Sequence, residues 1–399
     1  MKTLIFPLLS ILLLEALNLN AQNVQKINGK IIDAYTNKPI ESVSIYSRTT
    51  GMGTVSNSDG VFQFKLDAVT NIDSLVISCI GYKSNRLSFS DIVKSSDELL
   101  IKLVPMVVTL NEVTISPSPD PKEIIEKSKE KIDQNYNQNP FLSDCYFSEF
   151  IKEDGNYIRA MELAIQQYNK GVFPNPLIAI PMQQIKVVEK RKSANNTTLT
   201  NSIFNRCFSL NYLLLTSNLR NFLNTKNYKY TLDSITKIDN VQVYIITGKN
   251  NTEVLNFTVT RDTYKILKVE FKWNYSLPKY KIDNYFFCIQ RTEGTIVFKE
   301  KENKLFPFYT TNKLFINYYE NKNDTACWHK QDINSELLYT NIKTDNVKEI
   351  DKNERLEILT YPNIYELDIP NNEALEDHMF IQESSDRKLI YDSINAQKK

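Results

Sequence analysis

Leu267-Lys268-Val269-Glu270-Phe271-Lys272-Trp273-Asn274-Tyr275 alternates apolar and polar side chains along its length. Successive side chains of an extended chain leave opposite faces. This stretch therefore reads as a strand with Leu267, Val269, Phe271, Trp273 and Tyr275 on one side and Lys268, Glu270 and Lys272 on the other. The same period continues outward. Leu255, Phe257 and Val259 alternate before the turn Arg261-Asp262-Thr263, and Val241, Val243 and Ile245 follow the turn pair Asp239-Asn240. Downstream, residues 296–298 and the set Leu314, Ile316, Tyr318 carry further strands. Short connections between successive strands predict an antiparallel meander. Its apolar side, with Val269, Phe271, Trp273 and Tyr275, is either a packed core or the wall of a pocket for an apolar ligand or partner segment. Its charged side faces solvent.

Upstream of the meander the pattern turns helical. Asp120-Pro121-Lys122-Glu123 combines a cap, a proline at the first position and an early glutamate. Ile124, Ser128 and Ile132 follow at helical spacing, which predicts a helix ending near Tyr136. Residues 202–223 place Phe204, Cys207, Phe208, Leu215, Leu219 and Phe222 on a 3.6-residue period, although Leu213-Leu214-Leu215 also suits a strand. After Pro370 the chain is polar, with one short helix expected around residues 387–395.

The first 21 residues read as a secretory signal: Lys2, an apolar run over residues 4–14, and Ala21 before the expected cut. That run is too short to span a membrane. Within residues 24–104, short alternating stretches are broken by turn residues, giving about seven strands and a β-sandwich. Ser116-Pro117-Ser118-Pro119 then marks a stiff break. The predicted organisation is a signal over 1–21, a sandwich over 22–106, a linker over 107–120, a larger α+β domain with a curved meander sheet and a few helices over 121–370, and a polar tail over 371–399. The fold class is mainly β.

Composition narrows function. Among 399 residues, 48 Lys+Arg balance 47 Asp+Glu, so there is no basic nucleic-acid footprint. The nine glycines leave little for a phosphate-cradling loop. The five cysteines form no CxxC pair and read mostly as apolar fillers. The two histidines, His329 and His378, have no metal-ligand spacing. No cofactor or metal is expected.

Four segments of the first domain carry a resemblance: Asn28-Gly29-Lys30-Ile31-Ile32-Asp33, Asn37-Lys38-Pro39-Ile40, residues 53–62 with Ser58-Asp59-Gly60, and Ile77-Ser78-Cys79-Ile80-Gly81-Tyr82. In that order they resemble the carboxypeptidase regulatory-like domain. The resemblance implies a transthyretin-like sandwich without peptidase activity, of the kind that opens Gram-negative envelope proteins and TonB-dependent transporters. Leu110-Asn111-Glu112-Val113-Thr114-Ile115 resembles the segment that follows the module in those transporters. Residues 145–150 and 157–162 look like an uncharacterised envelope family with the same N-terminal module. There Glu149, Arg159 and Glu162 are expected as one polar cluster, read as a structural ion pair before a catalytic site. The curved meander is also similar to the half-barrels of lipoprotein carriers.

The leading expectation is an exported, non-catalytic binding or scaffold protein of the periplasm or outer-membrane surface, with an envelope protein or apolar ligand as its partner. Peripheral outer-membrane association stays open. The alternatives are a barrel-less relative of TonB-dependent transporters that assists uptake or assembly, and an unidentified enzyme.

Overall fold

The computed structural model describes residues 24–67, 74–79, 81–94, 98–106, 119–172, 184–194, 196, 222–238, 240–275, 278–282, 284–356, 369, 381 and 384–397. The signal, most of the linker, most of the predicted helix over 202–223 and residues 371–380 lie outside them.

The N-terminal part has seven strands: β1 (Val24–Asp33), β2 (Ser44–Tyr46), β3 (Gly53–Val55), β4 (Val61–Asp67), β5 (Ser74–Ser78), β6 (Asn85–Ser88) and β7 (Leu99–Leu103). A short helix, α1 (Phe89–Lys94), separates the last two. One sheet has the order β4-β1-β7 and the other β3-β2-β5-β6. Alternation along β1 and β4 turns Ile27, Ile31, Phe62 and Phe64 onto Val43, Ile45, Leu75 and Ile77 of the facing sheet.

The resemblance-bearing segments hold this sandwich together at its turns. Asp33 accepts hydrogen bonds from the backbone of Tyr35 (2.9 Å) and Thr36 (2.8 Å) and from the Tyr82 hydroxyl (3.1 Å). Asn57 accepts from the backbone of Asp59 (3.0 Å) and Val61 (2.9 Å), bending the chain into β4. Gly60 sits at φ +73°, where a Cβ would lie 2.4 Å from the Ile31 carbonyl oxygen, so only glycine fits this turn.

The larger part begins with α2 (Pro121–Glu130), capped by Asp120, whose carboxylate accepts from the Lys122 backbone at 2.9 Å. After Lys131 a short α3 (Ile132–Asn135) ends at Tyr136, as the sequence predicts. There follow β8 (Phe141–Glu153), β9 (Asn156–Asn169), β10 (Gln184–Lys192), β11 (Lys229–Ile238), β12 (Val241–Lys249), β13 (Glu253–Thr260), β14 (Ile266–Asn274), β15 (Tyr280–Ile282), β16 (Tyr285–Lys301), β17 (Lys304–Tyr319) and β18 (His329–Lys343). A final helix, α4 (Ser385–Ala396), closes the described chain.

These strands form one antiparallel sheet in the order β10-β9-β8-β18-β17-β16-β14-β13-β12-β11, with β15 paired to β16. The chain starts mid-sheet at β8, runs to one edge, restarts at the other edge with β11 and meanders back. The pairing of β18 with β8 joins the two runs.

One face of the sheet is packed. Ile124 and Ile125 of α2, then Ile132 and Tyr136, lie in one core cluster with Phe257, Val269, Phe271, Ile296 and Leu305. The Tyr136 hydroxyl donates to the Ile266 carbonyl at 2.9 Å, and its ring meets Phe298 edge-on at 5.2 Å. The sequence expectation for Leu267 needs correction. Thr258 pairs with Lys268 and Val259 with Ile266, so Leu267 is an extra, bulged residue. Ile266, fully buried, takes the core position instead.

The opposite face receives the sandwich. Tyr46, Val55 and Val76 pack on Tyr146, Phe308, Tyr309 and Leu338. Gly53 permits the approach, since a Cβ there would lie 2.2 Å from the Phe308 ring. Lys299 crosses the junction, donating to the Ser78 hydroxyl at 3.0 Å with its ammonium 4.3 Å from the centre of the Tyr46 ring.

Candidate functional site

Strand register builds a polar floor on the sandwich-bearing face. Thr258, Lys268, Val297 and Tyr309 stand in one cross-strand row. Glu270, Thr295, Thr311 and Glu336 stand in the next. The sandwich roofs this floor only in part, through Glu41, Ser42, Ser44, Tyr46 and Ser78. The space between is a cleft of about 950 Å³, within the size range of small-molecule sites.

Electrostatics shape the cleft wall. Glu336 accepts from Arg387 of α4 at 2.9 Å and from the Tyr309 hydroxyl at 2.8 Å. Burial, reinforced by the Glu336 carboxylate, pushes the Tyr309 hydroxyl well above the usual phenol range. Glu41 lies at the rim, where desolvation and then the Glu336 charge raise its carboxyl above the ordinary carboxylate range.

Behind Glu336 lies a buried network. Arg387 also donates to Glu162 at 3.2 Å and to the Tyr146 hydroxyl at 2.6 Å, and Tyr146 donates to Glu162. Arg191 pairs with the other Glu162 oxygen at 3.2 Å. Ser385 of α4 hydrogen-bonds Asp59 of the sandwich, through its backbone at 2.8 Å and its hydroxyl at 2.9 Å. The C-terminal helix thus ties both parts together beside the cleft.

The residues expected to form one polar cluster divide between two faces. Glu149 accepts from Arg159 at 3.4 Å and from the Ser335 hydroxyl at 3.5 Å, on the helix-covered face. Burial raises the Glu149 carboxyl despite Arg159. Glu162 follows Arg159 by three positions, an odd step that sends it through the sheet to the Arg387 network.

The predicted ligand surface lies on the packed face. Val269 and Phe271 are buried, and Phe222 stacks near Phe271 (6.1 Å) and Trp273 (5.3 Å). Trp273 in turn meets Tyr275 edge-on at 6.5 Å. The cleft opens on the other side, the one expected to be bare solvent, where Lys268 points. Thr258, Thr295 and Thr311, which line the cleft, do not stand out in the sequence as site residues. Only Thr258 carries a signal, a hydroxyl between core Phe257 and Val259 that Thr260 repeats; Thr295 and Thr311 have no such pattern around them. Cys145 and Cys288 are buried, as expected of fillers. Among the described residues, no group of three or more His, Cys, Asp or Glu side chains could hold a metal ion.

Residues 27–115 match the family model described as CarboxypepD_reg-like domain. The N-terminal module is a CarboxypepD_reg-like domain. Its motif residues are the ones that make the Asp33–Tyr82 and Asn57–Gly60 turns. No curated protein matches the chain. Among solved structures, the chain is similar to a LolA superfamily protein from Nitrosomonas europaea, at 11% identity and a TM-score of 0.25, over 58% of this chain and 96% of that one. A DUF1329 family protein from Desulfovibrio piger gives 9% identity and a TM-score of 0.25, over 58% and 96%. A putative outer membrane lipoprotein-sorting protein domain from Vibrio parahaemolyticus gives 10% identity and 0.23, over 57% and 94%.

Proposed function

We propose that this chain is an exported, non-catalytic envelope protein that holds a ligand between its CarboxypepD_reg-like domain and its broad sheet. The observation that carries this reading is the cleft of about 950 Å³ built jointly by the two parts. A sandwich docked only for stability would close flat on the sheet, as it does around Phe308. Here it stops short over Thr295 and Thr311 and leaves a roofed space. The signal-like residues 1–21 support export, and the CarboxypepD_reg-like domain supports an envelope setting. The non-catalytic part of the reading rests on the cleft's chemistry. Two of its three lining acids, Glu300 and Glu336, are tied to cations, and no histidine stands among the lining residues to activate its hydroxyls.

Native mass spectrometry of the intact protein purified from its host's envelope tests the reading. The expected result is a bound small molecule that disappears when Thr295→Trp fills the floor. A ligand-free protein, or an adduct indifferent to that substitution, would refute it.

A further inference from the structure

Five cations border the cleft: Arg48, Lys265, Lys268, Lys299 and Lys313. Three carboxylates line it and a fourth, Glu270, stands in the floor row beside Thr295; of the three on the lining, two are already neutralised within the protein. Glu336 is held by Arg387 at 2.9 Å, and Glu300 by Lys265 at 3.0 Å. The third, Glu41, stands at the rim. The floor adds hydroxyl donors. Thr295 and Thr311 are directly opposed across β16 and β17, with Lys313 beyond them and Lys268 in the adjacent row. Lys268 also pairs with Glu270 at 2.6 Å, which meets part of its charge while the residue still lines the cleft. Leu267, Val297, Tyr46 and Tyr309 supply apolar wall.

Lysines over a partly enclosed floor concentrate positive potential, because low-dielectric walls focus the field. Threonine hydroxyls can donate to oxyanions, and an apolar wall favours an organic body over a bare inorganic ion. The strands below offer only side chains, since their backbone groups are spent on the ladder, so an added peptide strand gains nothing there.

We propose that the cleft binds an organic anion, its acidic group held between Lys268 and Lys313 over Thr295 and Thr311 and its apolar body against Leu267 and Val297. This rests on the reading of the cleft as the ligand site.

Two fluorescent probes separate charge from shape in the intact chain. 8-Anilinonaphthalene-1-sulfonate is an organic anion, and N-phenyl-1-naphthylamine is the same body without the sulfonate. The anion is expected to bind with one-to-one stoichiometry and more tightly than the neutral probe. Lys268→Gln with Lys313→Gln should weaken it about tenfold and leave the neutral probe unchanged. Its affinity should also fall as salt rises from about 0.01 M to 0.5 M. Both lysines are at least partly exposed, so the double variant should keep the parent's melting curve, which is measured alongside. Competition by dodecanoate but not by dodecanol would extend the result to an aliphatic body. Equal binding of the two probes, or an anion indifferent to the double variant, would overturn the anion proposal and leave the cleft reading standing. If neither probe binds, or if Thr295→Trp blocks neither, both readings fall.

Discussion

Asp33 ends β1 as a carboxylate wrapped by donors. The Thr36 backbone leads in holding its carboxyl below the ordinary carboxylate range; desolvation opposes it next, and the Tyr35 backbone and the Tyr82 hydroxyl then add to the lowering. A group whose pKa is lowered on folding contributes stability above its unfolded value and loses it as pH falls through its folded value. Acid should therefore weaken the CarboxypepD_reg-like domain below about pH 4 through this residue. Asp33→Asn should flatten that part of the profile. Urea midpoints of parent and variant, measured from about pH 7 down to pH 2, check this. Parallel profiles would mean that Asp33 does not carry the effect.

β14 shows how an element can be legible in type and ambiguous in purpose. Its period-two pattern defines the strand, but that pattern is the same whether the apolar face meets a core or a ligand. Contacts decide the matter. Phe271 is 3% exposed and lies in the cluster that includes α2 and Phe222. Phe271→Ala should cost about 3–5 kcal/mol of unfolding free energy, as removal of a buried phenyl ring does in a packed core. Equilibrium urea denaturation measures it. A loss well under 1 kcal/mol would instead mark a wall that tolerates an opening.

At the scale of the molecule, Arg387 is the tie between α4, the sheet and, through neighbouring Ser385, the sandwich. Its guanidinium reaches Glu162, Glu336 and Tyr146 in a site almost closed to water. Arg387→Ala would leave buried acidic groups short of a partner, a change that typically costs about 3–5 kcal/mol. Arg387→Met combined with Glu162→Gln and Glu336→Gln should recover part of that loss, because the acids are removed with their cation. Hydrogen exchange should show residues 384–397 losing protection in Arg387→Ala, together with the Asp59 turn. An exchange pattern matching the parent would mean that α4 is held by Phe150 and Ile394 packing alone.

What the sequence determined by itself was local. Alternation in residues 267–275 made a strand, Asp120-Pro121 started a helix, and Ser58-Asp59-Gly60 made a turn that only glycine completes. These outcomes depend on sterics and hydrogen bonds within a few residues, so neighbouring letters suffice to read them. The mainly β class and the sandwich placed at 22–106 followed from the same kind of local pattern, and the module's family from the motifs at its turns. The bulge at Leu267 depended on the register of β13 against β14, and one extra residue there moved Ile266 into the core. The joining of β18 to β8 depended on pairing across nearly the whole domain. The separation of Glu162 from Glu149 and Arg159 became visible once β9 was known to be continuous across them. The cleft was the least legible feature of all. Its floor is polar and its roof comes from another part of the chain, so its existence depends on where the sandwich docks. Docking is decided by Tyr46, Phe308 and Tyr309 meeting across the interface, residues brought together only by the tertiary structure.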